Sequence, residues 1–294
     1  MTDDRRNSLY GPLDDVSGDA GYASHPERVG FFTDTSVCIG CKACEVACKE
    51  WNGLPDTNTS GADVLALTGM SYDNTGALGA STWRHVAFIE QTVPTQDVIS
   101  EIADGSATRW LMASDVCKHC THAACLDVCP TGALVRTEFG SVIVQADVCN
   151  GCAYCVSACP FGVIDRREDD GRAWKCTMCY DRLRGGLEPA CAKACPTDSI
   201  QFGPLDELRE IAQARLTELH AAGQTDARLY GDDPDDGIGG AGAFFLLLDE
   251  PEVYGLPPDP VVTTKDLPLM WRWAGASAAV LAAGVVVAFA GRRR

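Results

Sequence analysis

Sixteen cysteines in four groups of four constrain this chain more than any other feature of its 294 residues. The first group reads Cys38-x2-Cys41-x2-Cys44-x3-Cys48 and the third Cys149-x2-Cys152-x2-Cys155-x3-Cys159-Pro160. Both match the bacterial ferredoxin run of cluster-binding cysteines. The second, Cys117-x2-Cys120-x4-Cys125-x3-Cys129-Pro130, is the same run with two extra residues. The fourth, Cys176-x2-Cys179-x11-Cys191-x3-Cys195-Pro196, keeps both ends and stretches the middle. Disulfide frameworks belong to short secreted domains whose cysteines are scattered through loops. A C-x-x-C turn instead brings two sulfurs to one side, which suits a metal centre.

The spacing also suggests how ligands are shared. Three closely spaced cysteines wrap three corners of a [4Fe-4S] cubane, and the fourth is carried away to the neighbouring cluster. The second and third groups are contiguous, so they are expected to form one module: Cys117, Cys120 and Cys125 with Cys159 (cluster 3), and Cys149, Cys152 and Cys155 with Cys129 (cluster 4). By elimination the outer groups form another: Cys38, Cys41 and Cys44 with Cys195 (cluster 1), and Cys176, Cys179 and Cys191 with Cys48 (cluster 2). The expected fold is α+β and loop-rich, with two nested ferredoxin-like two-cluster modules and a C-terminal transmembrane helix. A zinc-stapled scaffold is the competing use of C-x2-C pairs, but zinc ribbons do not repeat the third spacing and the Cys-Pro ending. His119 and His122 read as loop residues, since the second run has all four thiols. Lys42, Lys49, Lys118, Lys175 and Lys193 stand beside cysteines, either as exposed loop lysines or as cations that would raise a cluster's potential.

Elsewhere the sequence excludes more than it proposes. A net charge of −17 leaves nothing to neutralise a phosphate backbone, so no nucleic-acid partner is expected. No G-x-S-x-G, P-loop or dinucleotide fingerprint is present, and no catalytic residue is proposed. Residues 1–29 read as an N-terminal arm, in which Arg5 and Arg6 lack the apolar stretch of an export signal. Residues 30–203 read as the four-cluster domain, its inner module at about 110–165. Within it, Asn52 to Ser81 reads as a long loop, Trp83 to Ile89 as a strand and Ala133 to Gln145 as a hairpin. Residues 204–268 supply a helix (Pro204 to Ala222), a buried strand (Ala243 to Leu248) and an extended stretch from Asp249 to Pro268 with five prolines. Residues 269–294 read as the anchor. Trp273 to Gly291 is nineteen uncharged residues, entered by Trp271 and Trp273 and closed by Arg292, Arg293 and Arg294. The positive-inside rule would put those arginines in the cytoplasm and the cluster domain on the outer face.

The sequence resembles the iron-sulfur (beta) subunit of membrane-bound respiratory formate dehydrogenases. The resemblance rests on Val37 to Asn52, Ser81 to Phe88, Lys175 to Leu183 and Ala190 to Asp198, and extends over roughly residues 28–291. It implies a three-part enzyme: a molybdopterin or tungstopterin catalytic subunit that oxidises formate, this chain relaying electrons through four [4Fe-4S] clusters, and a membrane cytochrome b subunit passing them to quinone. It also implies the nested ligand sharing given above, and export of the folded protein together with a signal-bearing partner. One departure is Lys49, which stands where the run would carry Pro. An iron-sulfur subunit of a membrane-bound hydrogenase, or of another pterin oxidoreductase, is the alternative within the class.

Overall fold

The computed structural model describes residues 15–55, 75–94, 106–265 and 267–291. Arg5, Arg6, most of the Asn52 to Ser81 loop and Arg292 to Arg294 lie outside the described residues. The chain opens with α1 (Val16–Asp19), β1 (Val29–Asp34) and α2 (Ala43–Trp51), followed by the long strands β2 (Arg84–Pro94) and β3 (Ser106–Val116). Next come α3 (Ala124–Asp127), β4 (Leu134–Arg136), β5 (Val142–Val144), α4 (Tyr154–Ala158), β6 (Asp165–Arg166) and β7 (Ala173–Trp174). The last third holds α5 (Tyr180–Arg184), α6 (Ala190–Lys193), β8 (Ile200–Pro204), α7 (Leu205–Ala221), β9 (Arg228–Tyr230), β10 (Ala243–Leu247) and α8 (Leu267–Gly291).

A four-stranded sheet in the order β8-β1-β10-β9 carries the other elements. Its central pair, β1 and β10, is parallel, with Phe31 opposite Ala243 and Asp34 opposite Leu246. Parallel pairs are usually covered on both faces, and both strands are almost wholly buried. Side chains alternate across the sheet. Phe32, Phe244 and Leu246 join Leu205, Leu208, Ala212 and Leu219 of α7 in one core, whereas Phe31, Phe245 and Leu247 pack with Cys44, Cys48, Cys117, Cys176 and Cys191 in another. One face thus meets α7 and the other the cysteines of the first, second and fourth runs, while Ala124 and Cys120 of the second run also reach the α7 side. Helix α7 starts after Pro204, carries Asp206 and Glu207 in its first turn and stops before Gly223, whose φ of +89° suits glycine. Arg215 ties it to β1 through Asp34, at 3.0 Å.

The hairpin expected between Ala133 and Gln145 is β4–β5, with Leu134 opposite Val144. The strand expected at Trp83 to Ile89 runs further, to Pro94, because it pairs along eleven residues with β3. Neither β1 nor β3 was anticipated. The stretch from Asp249 to Pro268 is not uniformly extended: Pro251–Tyr254 forms a 3-10 turn closed by Gly255 at φ +73°, and Pro268 lies in the first turn of α8. Residues Leu269–Ala290 of α8 have a mean hydropathy of 2.0, and none of that window is buried in the protein. These 22 residues span about 33 Å as a helix, long and apolar enough to cross a bilayer core of about 30 Å.

Candidate metal centres

Each cysteine run is bent by left-handed backbone at equivalent places. The residue before the second cysteine has positive φ in all four: Gly40 (+63°), His119 (+45°), Gly151 (+72°) and Met178 (+57°). Alternating backbone of this sort turns successive N–H groups inward, a geometry used to hold anionic groups and iron-sulfur centres. Gly151 has no alternative, since a Cβ there would stand 2.3 Å from the Gly171 carbonyl oxygen. A second bend follows the Cys-Pro endings, at Gly132, Gly162 and Asp198. Proline also halts the helical turns that precede it, so α3, α4 and α6 are only four or five residues long. With Lys49 in place of Pro, α2 continues to Trp51. Its end supplies Asn52, whose side-chain amide points at the sulfurs of Cys48 and Cys179, each at 3.8 Å.

These bends bring together cysteines far apart in sequence. Cys38, Cys41 and Cys44 line one cavity with Cys195. Cys117, Cys120 and Cys125 line another with Cys159. Cys48 lies among Cys176, Cys179 and Cys191, and Cys155 among Cys149, Cys152 and Cys129. Links also run between sets: Cys44 is close to Cys191, Cys176 to Cys117, and Cys125 to Cys155. All sixteen cysteines are free of disulfides, and only Cys41 and Cys152 are exposed. Among the described residues no group of three or more His, Cys, Asp or Glu could hold a lone metal ion, whereas the thiols gather four to a set.

Burial pushes the Cys44 and Cys155 thiols up to about 11 and Cys125 to about 12, so thiolates here need a compensating positive centre. Such a donor set fits an iron-sulfur cluster, which binds thiolates. Cys129 is the exception. Its burial would raise the thiol, but N–H groups of Leu134, Thr131 and Ala133 and the Thr131 hydroxyl bring it below its usual value.

Two of the five lysines beside cysteines are not exposed loop lysines but buried ones: Lys118 and Lys175 are each 1% exposed. Lys118 pairs with Asp115 and lies 4.7 Å from the Phe245 ring centre. Lys193 is exposed. His119 is buried as well, its Nδ1 accepting the Val142 N–H at 3.1 Å. Burial, then the charges of Lys175, Arg136 and Arg28, hold it well below the usual histidine range and therefore neutral. Arg84 escaped the sequence reading. It is 2% exposed and donates from Nη2 to the Cys191 sulfur at 3.3 Å. Only its place in an apolar-looking strand next to Trp83 could have singled it out.

Residues 37–133 and 108–205 each match a family model for a 4Fe-4S dicluster domain. Together the two domains account for four clusters and all sixteen cysteines, and they leave the zinc scaffold without support. Their limits overlap over residues 108–133, which hold the second run. Among curated proteins, the chain is 39% identical over 268 residues to the nitrate-inducible formate dehydrogenase iron-sulfur subunit of Escherichia coli strain K12, covering 90% of this sequence and 83% of that one. The formate dehydrogenase-O iron-sulfur subunit of the same organism is 38% identical over 252 residues, covering 84% and 77%. One subunit of its anaerobic dimethyl sulfoxide reductase is 36% identical over 183 residues, covering 62% and 77%. A four-cluster set of thiols, an apolar terminal helix and these likenesses converge on one assignment: this protein belongs to the formate dehydrogenase iron-sulfur subunits, the electron-transfer subunits of an oxidoreductase complex.

Proposed function

We propose that Cys38, Cys41, Cys44 and Cys195 hold cluster 1, Cys48, Cys176, Cys179 and Cys191 cluster 2, Cys117, Cys120, Cys125 and Cys159 cluster 3, and Cys129, Cys149, Cys152 and Cys155 cluster 4. The observation that carries this reading is the pair of cavities in which the last cysteine of one run completes the first three of another. Each bound cluster supplies a one-electron store. The placement of the thiols supports an order among them. Proximity of Cys44 to Cys191, Cys176 to Cys117, and Cys125 to Cys155 favours the sequence 1, 2, 3, 4. Exposed Cys41 and Cys152 make clusters 1 and 4 the two ends, each flanked by an exposed apolar residue, Ile39 and Tyr154.

The cluster 4 end faces the membrane in this reading. Thr264, three residues before α8, donates to Asp127 at 2.6 Å, and Asp127 lies between Cys125 and Cys129. Electrons enter at cluster 1 from a molybdopterin or tungstopterin subunit that oxidises formate and leave at cluster 4 to a membrane cytochrome b. The formate dehydrogenase relatives, matched over most of the sequence, support this partner over a dimethyl sulfoxide reductase, whose related subunit matches 62% of it. Residues 269–294 anchor the protein, with Arg292 to Arg294 in the cytoplasm and the cluster domain outside. Anaerobic purification from the native membrane tests the assignment. A pterin subunit should accompany the chain, and formate should bleach its visible cluster absorption. Indifference to formate, with reduction by hydrogen and a nickel-containing partner, would make the complex a hydrogenase.

A further inference from the structure

Arg84 and Lys175, 2% and 1% exposed, are buried cations with no carboxylate ion pair among the described residues, and both sit where cysteine sets adjoin. Arg84 donates to the Cys191 sulfur at 3.3 Å, lies over the Phe31 ring at 5.1 Å, and bonds Ser114 through its carbonyl and hydroxyl at 3.3 and 3.4 Å. Ser114 in turn stands 3.6 Å from the Cys44 sulfur. Arg84 therefore lies between the sets assigned to clusters 1 and 2. Lys175 donates to the carbonyls of Val142 and Cys176 and lies beside Cys117, Cys125 and Cys176. It lies between the sets assigned to clusters 2 and 3.

An isolated buried ammonium or guanidinium is costly unless it is paired. Carbonyl oxygens satisfy hydrogen bonds but carry no net charge, so the negative partner of both cations is the thiolate-bound cluster. A [4Fe-4S] cluster with four thiolates becomes more negative on reduction, and a fixed positive charge beside it favours the reduced form. Salt screens buried charges little.

We propose that Arg84 and Lys175 are the counter-charges of the two buried cluster junctions and set the reduction potentials there, Arg84 for clusters 1 and 2 and Lys175 for clusters 2 and 3. The proposal rests on the ligand sets given under Proposed function. Among the described residues no side-chain cation hydrogen-bonds the sulfurs of Cys129, Cys149, Cys152 or Cys155, so cluster 4 is the internal control. The bland reading is that both side chains only stitch the loops together.

Redox titration of the anaerobically purified complex, followed by electron paramagnetic resonance, separates the two. Lys175→Met should lower the midpoints of two clusters and leave cluster 4 where it was. Arg84→Gln keeps a hydrogen-bond donor without the charge and should lower two midpoints. Arg84→Lys keeps the charge and should leave them near wild type. Unchanged midpoints in both neutral variants, with all four clusters present, would overturn the proposal and leave the ligand sets untouched. Midpoints that shift at cluster 4 instead would contradict the ligand sets while preserving the role of the cations. If the neutral variants fail to assemble clusters while Lys175→Arg and Arg84→Lys assemble them, titration of those two decides. Wild-type midpoints uphold the charge as the determinant, and shifted ones overturn it.

Discussion

Cys129 belongs by sequence to the second run, yet the thiol it influences is Cys155 of the third. Cys129→Ser should therefore disturb the cluster held by Cys149, Cys152 and Cys155 and spare the one held by Cys117, Cys120 and Cys125. Spectra in which the latter cluster alone is altered would refute shared ligation. Gly151 offers a test of the backbone. In Gly151→Ala the left-handed conformation costs about 1–2 kcal/mol, and the new methyl group meets the Gly171 carbonyl. Lower thermal stability and partial loss of cluster 4 are expected, and a variant with wild-type melting and iron content would show that the loop is laxer than its geometry implies. The cysteines were legible in sequence because their spacing is itself the chemistry. Lys118 and Lys175 were legible only as one of two readings, and Arg84 was not singled out. A buried cation next to a cluster looks, in sequence, like any lysine or arginine of a polar loop, since its partner is an inorganic group and not a neighbouring residue.

At the scale of elements, strong local signals carried through. The β4–β5 hairpin has its glycine turn, α7 has Pro204 ahead and Gly223 behind, and Ala243–Leu247 is an unbroken apolar run. What local sequence could not supply is partnership over distance. Strand β1 acquires its identity from β10, more than two hundred residues later, whereas β3, which follows the turn pair Asp104-Gly105, was legible as a hairpin partner of β2, though unanticipated. Lys49 shows the same point in reverse: one missing proline lengthens α2 and so delivers Trp51 to Asp181, at 2.9 Å, and Asn52 to two sulfurs. The packing of α7 on the sheet predicts that Phe244→Ala, at a fully buried position stacked on Phe32 at 5.3 Å, costs about 3–5 kcal/mol. Chemical denaturation of the variant checks this, and a loss under about 1 kcal/mol would mean that the α7 face is not the packed core described here.

Across the whole molecule, the two ends of the cluster-bearing region meet in one sheet, and cysteines of the first, second and fourth runs pack against one face of it. The exposed helix α8 then leaves from beside α3. A variant ending before Leu267 should lose membrane attachment and retain its iron. Retention in the membrane through a partner subunit alone would relegate α8 to a secondary anchor. The electron-transfer role depends on the cysteines being cluster ligands. The most direct test is iron, acid-labile sulfide and zinc analysis of the anaerobically purified protein. About sixteen irons and about sixteen sulfides per chain, without zinc, are predicted. A preparation that carries zinc and no sulfide would contradict the electron-transfer assignment.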